Sequence, residues 1–193
     1  LAVDADLPTH EIDQLAAGLF GFDLRQILAD KIVPLSDESV AEVNYGLKPG
    51  ITDFFTITSE RAREFGIEKE FLIPFLTTFR DVEKPVIDPK DTNNLLFFCA
   101  LDKNELRRQG KKGALKYIEW GETQITTGRG AVGRAGVPWP EVPSVKNRPC
   151  WYDVGEREPG DVIINQFVGE RIFFPLNPQK IFVSNTFFEA SFV

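Results

Sequence analysis

Asp88 and Lys90, on either side of Pro89, have the spacing of the D-x-K half of a metal-dependent nuclease site. Asp81 or Glu83 could supply a second carboxylate upstream. In such a site, paired carboxylates hold Mg²⁺ and the lysine stabilises the attacking hydroxide. A pattern of three residues also arises by chance in acidic sequences. A nuclease is therefore kept as one hypothesis, and chance is the preferred explanation.

Motifs of other catalytic classes are absent from the sequence. It has no P-loop, no dinucleotide-binding fingerprint, no HExxH and no nucleophile elbow. Its two cysteines are too few for a disulfide scaffold or a structural zinc site. Cys99 lies in the apolar run LLFFCA, which predicts a buried, inert thiol. His10 stands in a polar stretch without a Ser or Cys motif, so we expect it to be solvated. We expect no catalytic or metal-binding residue anywhere in this sequence.

The cations of the chain are concentrated between Lys103 and Arg148. This segment has ten Lys and Arg against four Glu, whereas the whole chain carries a net charge of −7. A cationic segment on an acidic protein indicates a surface that meets a polyanion. The alternative is a basic face that only contacts solvent.

Within this segment, residues 123–146 have no sustained apolar period, and five Gly and Pro residues fall between Gly128 and Pro138. This pattern predicts a long irregular loop, which in a compact domain is usually functional or disordered. Lys and Arg on such a loop can neutralise phosphates, and the forked guanidinium donors and the amides can read base edges in the major groove of DNA. Trp139 either stacks on the bases of DNA or wedges between them, or it is buried in the core.

The elements that would position these residues alternate in the first half of the chain. We predict strands near 32–35, 40–45 and 53–58, and a helix over SERAREF that Thr58 or Ser59 caps and Gly66 ends. A second short helix over IEKEFLIPFL would break at Pro74. Gly46 and Gly50 bracket Lys48-Pro49, a turn that either lets backbone N–H groups approach a phosphate or is simply a hairpin loop, which we prefer.

The second half of the chain is expected to be richer in strands. Two strands are predicted in PVIDPKDTNNLLFFCALD, and Asp102 is predicted to cap a helix that pauses at Gly110 and Gly113. The last strands are predicted at 161–168, 171–176, 180–183 and 186–193. The fold class is therefore α+β, with a mixed, largely antiparallel sheet, short flanking helices and a long irregular loop.

The sequence begins with Leu and contains no methionine, which indicates a piece of a longer protein. No apolar run approaches the roughly 20 residues of a membrane span, and the first residues lack the cationic start of a signal peptide. We therefore expect a soluble, cytoplasmic protein.

Four segments, in the right order, carry a resemblance to a known family. VNYGLKPGITDFF, with EFGIEKEFLIPFLTTFRDV after it, resembles the opening of target recognition domains in N6-adenine DNA methyltransferases of restriction-modification systems. LLFFCALDKNELRRQGKKGALKYIEWGE, the box NRPCWYDV and the strands around RIFFPLN and IFVSNTFFEASF are similar to later segments of the same domains. The resemblance spans about residues 33–193. Residues 1–30 would be a helical linker or the end of a methyltransferase domain, and residues 31–193 the target recognition domain.

The resemblance implies a module that docks on double-stranded DNA and selects a short sequence. S-adenosylmethionine and the base-flipping chemistry would belong to a catalytic domain in the same or a partner chain. The family's catalytic (N/D/S)PP(Y/F) motif and its glycine motif for the cofactor are absent here, which implies that the fragment itself does not catalyse the reaction. The family pattern places seven residues in its motifs: Gly46, Gly50, Phe54, Phe55, Arg148, Trp151 and Tyr152. Its aromatic positions are expected mainly in the core, and Arg148 is expected to hold a loop or touch phosphate.

Together, charge, loop and resemblance give a set of expected DNA contacts. They are Lys48, Thr52, Lys111, Lys112, Gln124, Arg129, Arg134, Lys146 and Arg148. A Mg²⁺-dependent nuclease and a module that docks only on other subunits of a restriction-modification complex remain the alternatives.

Overall fold

A computed structural model describes residues 39–80, 82–128, 135–166 and 173–193. These residues form an α+β fold of short strands and short helices, which confirms the predicted fold class. Predictions for residues 1–38, including His10 and the strand near 32–35, lie outside the described residues. No helix in the described ranges is long and apolar enough to cross a membrane.

The first sheet has three antiparallel strands, which lie side by side in the order β1, β9, β7. Strand β1 is Ala41–Tyr45, β7 is Val162–Asn165 and β9 is Phe187–Phe192. The prediction of a strand over 40–45 is confirmed. The central strand β9 pairs with both neighbours, so the last strand in the sequence is the middle strand of this sheet.

The second sheet has four strands in the order β2, β4, β3, β8. They are β2 (Thr56–Thr58), β3 (Leu72–Leu76), β4 (Asn94–Phe97) and β8 (Phe182–Val183). The β3–β8 pair is parallel and the other two are antiparallel. The predicted mixed, largely antiparallel arrangement is thus confirmed.

Four helices flank the sheets in the described part of the chain: α1 (Thr52–Phe55), α2 (Ser59–Phe65), α3 (Lys103–Arg108) and α4 (Lys112–Glu122). Thr58 caps α2, and Gly66 ends it in a left-handed conformation with φ 69°. The Asp102 carboxylate accepts the N–H groups of Asn104 and Glu105 at the start of α3. These caps agree with the predictions.

Two elements predicted in the first half are wrong. The strand predicted over 53–58 begins only at Thr56, because α1 precedes it. The short helix predicted over IEKEFLIPFL is a 3-10 turn at Lys69–Phe71 followed by β3. Pairing of β3 with β4, in which Pro74 lies opposite Leu95, outweighs the local helical spacing.

Fewer strands form near the end of the chain and around PVID than predicted. Val86 and Leu176 make only isolated bridges, to each other and from Leu176 to Val162. Pro85 and Pro175 lie next to them and have no N–H to donate, which limits ladder formation. Residues 167–172 lie outside the described residues.

The prediction of a long irregular loop over 123–146 is wrong for residues 125–127 and 135–141, which form regular elements. Strands β5 (Ile125–Thr127) and β6 (Ala135–Pro138) form an antiparallel two-stranded sheet, and a 3-10 turn at Trp139–Glu141 comes after it. We call this pair of strands the ribbon. Residues 129–134, which connect its strands in sequence, lie outside the described residues.

Buried side chains form two clusters. The larger has Phe54 at its centre, with the Tyr117, Trp151 and Trp139 rings 4.8, 4.4 and 5.9 Å from the Phe54 ring. The smaller includes Ile163, Val183 and Phe187. Trp139 is therefore a core residue, which decides between its two predicted roles. The aromatic motif residues Phe54, Phe55 and Trp151 are also core residues, as expected.

Candidate nucleic-acid interface

Lys48 and Lys146 lie on two loops that are fastened to each other. The Ser144 hydroxyl donates to the Gly50 carbonyl at 3.3 Å, and Arg148 Nη2 donates to the Pro49 carbonyl at 2.8 Å. Both lysine side chains are exposed, and neither forms an ion pair with any described residue. The 46–51 loop and the 142–148 loop therefore present two solvated cations from one joined surface.

The two glycines of the 46–51 loop are required by close packing. A Cβ at Gly46 would lie 2.2 Å from the Ser184 carbonyl oxygen. Gly50 has φ +104°, and its Cβ would lie 2.9 Å from both Ser144 Oγ and a Val145 methyl group. These glycines thus let the loop pack closely against neighbouring residues. This role differs from the approach of backbone N–H groups to a phosphate that the sequence also allowed.

Arg148 fastens the loops from a half-buried position. Its Nη1 donates to the Asp153 carbonyl at 2.9 Å, and its guanidinium lies 5.6 Å from the centre of the Phe55 ring. Burial lowers the pKa of this guanidinium, although nearby Asp153 opposes the shift. Of the two roles expected for Arg148, the contacts correspond to holding the loop.

Gln124 and Thr52 lie next to the same aromatic cluster. The Gln124 carbonyl accepts the N–H of Trp139 at 3.1 Å, at the base of the ribbon. The Gln124 amide donates to the Thr123 hydroxyl at 2.8 Å and to the Trp120 carbonyl at 3.3 Å. Thr52 is exposed at the start of α1, two residues before Phe54. The structure therefore brings Lys48, Thr52, Gln124, Lys146 and Arg148 around one part of the core. Arg129 and Arg134 lie outside the described residues.

Lys111 and Lys112 lie at the opposite end of α4 from Gln124. With a rise of about 1.5 Å per residue, the length of α4 separates the two groups by roughly 15 Å. Lys111 Nζ pairs with Glu70 at 2.7 Å, whereas Lys112 is exposed. The structure does not bring these two lysines together with the others.

The N-terminus of α4 is occupied by a carboxylate of the protein itself. Glu68 accepts the N–H groups of Gly113 and Ala114 at 3.0 and 2.9 Å. Burial raises the pKa of Glu68, but these hydrogen bonds outweigh it, and the net shift is downward. Sequence reasoning missed Glu68 because it lies far from the helix along the chain, and no local pattern marks the contact.

Most cations of α3 and α4 are also neutralised within the protein. Lys103 pairs with Glu122 at 2.8 Å, Arg107 pairs with Glu119 at 3.3 Å, and Arg108 pairs with Glu105. In the helical half of the segment, residues 103–122, four of the six Lys and Arg are therefore paired with carboxylates. By formal charge, residues 103–122 and residues 123–148 each carry a net +3, and residues 123–148 hold four Lys and Arg and only one Glu.

The candidate nuclease residues have structural roles. The Asp88 carboxylate accepts the N–H of Lys90 at 2.9 Å, and Asp91 returns a bond to the Asp88 N–H, so the pair forms a capping box. In the described part of the chain, no group of three or more His, Cys, Asp or Glu could hold a metal ion. Asp81 lies outside that part. Cys99 is buried, and desolvation raises its pKa to about 11, as expected for an inert thiol.

Comparison with known proteins finds a similarity to one methyltransferase. The chain is 25% identical over 138 residues to the type II methyltransferase M.AccI of Acinetobacter calcoaceticus. The match covers 65% of this chain and 23% of that protein, so the chain spans less than a quarter of the length of its relative. No protein-family model matches the chain. The chain is thus similar to one part of a type II methyltransferase.

Proposed function

We propose that this chain is a sequence-specific double-stranded DNA recognition module of a restriction-modification DNA methyltransferase that modifies adenine N6. The similarity to part of a type II methyltransferase supports the connection with DNA methylation. The order of the four motifs in the sequence supports a target recognition domain within such an enzyme.

One observation carries the DNA-binding part of this proposal. Two exposed lysines, Lys48 and Lys146, lie on loops that hydrogen bonds fasten together beside the ribbon. Residues 123–140 contain no carboxylate to neutralise a neighbouring cation. Cations held on a common surface can each displace a counterion from a duplex, which gives sequence-independent affinity.

The roles of the proposed contacts depend on their surroundings. Lys48, Thr52 and Lys146 contact phosphates, and Gln124, Arg129 and Arg134 supply amide and guanidinium donors for base edges. Arg148 positions the two loops. The exposed Lys112 gives a further phosphate contact along the duplex, where charges recur about every 1.7 Å of helix axis, and Lys111 would join it only by leaving its ion pair with Glu70.

We assign methyl transfer itself to a separate catalytic domain. The sequence of residues 1–193 lacks both the catalytic (N/D/S)PP(Y/F) motif and the glycine motif of a cofactor site. S-adenosylmethionine and the extruded adenine would therefore be held by a methyltransferase catalytic domain in the same or a partner chain.

Binding of a fluorescent duplex over a series of salt concentrations tests this proposal. Because each phosphate contact contributes about 0.9 to the slope of log K against log salt, Lys48→Ala with Lys146→Ala should reduce the slope by about 2. The matched control is Lys69→Ala with Lys84→Ala, which removes two exposed lysines elsewhere. Salt-independent binding, or an equal effect of the two double variants, would contradict the proposal.

A further inference from the structure

The ribbon has an inner and an outer face. Thr126 is buried, and its hydroxyl accepts the N–H of Val137 at 3.1 Å. Ile125 and Thr127, on either side of Thr126, are exposed. Since successive side chains of a strand alternate between faces, Thr126 points to the protein and its two neighbours point away from it.

A bulge fixes this orientation. Ile125 pairs with Pro138 and Thr127 pairs with Ala135, so β6 has one more residue between these pairs than β5. Gly136 lies in the bulge with φ +79°, which glycine adopts without strain. Bulges of this kind redirect side chains and are held in place by specific residues. The outward direction of Ile125 is thus built into the ribbon.

The outer face is small and uncharged. Ile125 is 58% exposed, and Thr127, Ala135 and Pro138 are exposed with it. A single exposed Ile is common on protein surfaces and needs no explanation by itself. Here, however, the face belongs to a segment without carboxylates, and the Trp139 ring directly after the ribbon packs 5.9 Å from the Phe54 ring of α1, which follows the 46–51 loop. A neutral outer face on a segment without carboxylates can approach a groove between phosphate strands without charge repulsion.

The dimensions favour one groove. The major groove of B-DNA is about 12 Å wide and admits a two-stranded ribbon, whereas the minor groove, about 6 Å wide, is too narrow. The thymine C5-methyl group is the apolar group that the major groove displays, and apolar side chains read it by contact. Ile125 is the largest apolar side chain of the outer face.

We propose that the ribbon lies in the major groove of duplex DNA, with Ile125 against the methyl group of a thymine in the recognised sequence. This inference rests on the proposed DNA-binding function and adds which element enters which groove and one base that is read. Contacts of Lys48 and Lys146 with phosphates would set the depth of the ribbon, since their loops are fastened to each other and the 142–148 loop follows the ribbon closely in sequence.

The test begins with selection of duplexes from a randomised pool by the full 193-residue chain. In the enriched duplex, each thymine is then replaced in turn by deoxyuridine, which lacks only the methyl group. At one position we expect affinity to fall about fourfold, which is the effect of losing one buried methyl-sized group. Ile125→Ala should remove this thymine preference and leave the salt slope unchanged. The matched control is Leu176→Ala, an exposed residue elsewhere, which should keep the preference.

Ile125→Ser, which leaves no side-chain methyl group to contact thymine, is the second variant, and it should also lose the preference. Enrichment without any effect of deoxyuridine, unchanged preference in both Ile125 variants, or salt-dependent binding of all duplexes alike would overturn the inference and leave the proposed DNA binding standing. Absence of duplex binding at any salt concentration would overturn both.

Discussion

The Arg148 side chain connects the 46–51 loop with the segment NRPCWYDV by donating to backbone carbonyls of both. Its two hydrogen bonds to the Pro49 and Asp153 carbonyls hold three segments of chain in one place. A cation that is expected to touch DNA can therefore serve recognition indirectly, by keeping Lys48 and Lys146 on one surface.

Arg148→Ala should destabilise the protein by about 1–3 kcal/mol, because two carbonyls lose a charged donor. Arg148→Lys should recover only part of this, since one ammonium cannot reproduce the planar fork. Denaturant unfolding measures the effect. Asn104→Ala, which changes an exposed partner of Arg107, is the control. Full stability of Arg148→Ala would show that the loops do not depend on this residue.

For individual residues, the residue type predicted the structural role only where the contacting residue is close in sequence. The caps at Thr58 and Asp102 can be read from local spacing. Trp139 has two equal interpretations from sequence, because its burial depends on Phe54, which lies far away along the chain. The pairing of Lys111 with Glu70 is equally invisible to local patterns.

Helix α4 depends on a cap from another element. Its own N-cap residue, Lys111, makes no capping bond with its side chain. The Glu68 carboxylate, just before the 3-10 turn at Lys69–Phe71, accepts the first free N–H groups in its place. The negative charge also lies favourably at the positive end of the helix dipole.

Glu68→Gln should therefore destabilise the protein by about 1 kcal/mol at pH 7. The pKa of Glu68 is lowered in the folded protein from an ordinary value of 4.5. The stabilisation is thus present above that value and is lost as the pH falls through the lowered pKa.

Urea unfolding of the wild type and of Glu68→Gln at pH 7 and near pH 3 measures this difference. We expect it to shrink markedly at the lower pH. Glu64→Gln, an exposed residue of α2, is the control and should show no such change. A difference that stays constant between the two pH values would contradict the capping role.

The ribbon is the element that the sequence predicted least well. Strands of three and four residues are too short to show a clear alternation of apolar and polar residues. The bulge at Gly136 interrupts this alternation further. The glycines and prolines therefore predict an irregular loop. Pairing between β5 and β6, and packing of Trp139 into the core, turn the same residues into ordered structure.

For the whole molecule, the sequence predicted the fold class and the final strand of the first sheet, because these depend on repeated apolar patterns. It did not predict the distribution of free charge. Ten Lys and Arg between Lys103 and Arg148 look like one basic surface in the sequence. In the fold, the carboxylates of Glu70, Glu105, Glu119 and Glu122 neutralise most of the helical half.

The central claim is that the joined loops beside the ribbon form the surface that meets DNA. Acetylation of lysines, followed by mass spectrometry with and without a saturating duplex at low salt, tests it within a single protein. We predict that Lys48 and Lys146 become strongly protected by the duplex, whereas Lys69 and Lys84 react as before. Equal reactivity of Lys48 and Lys146 with and without bound duplex would contradict the account.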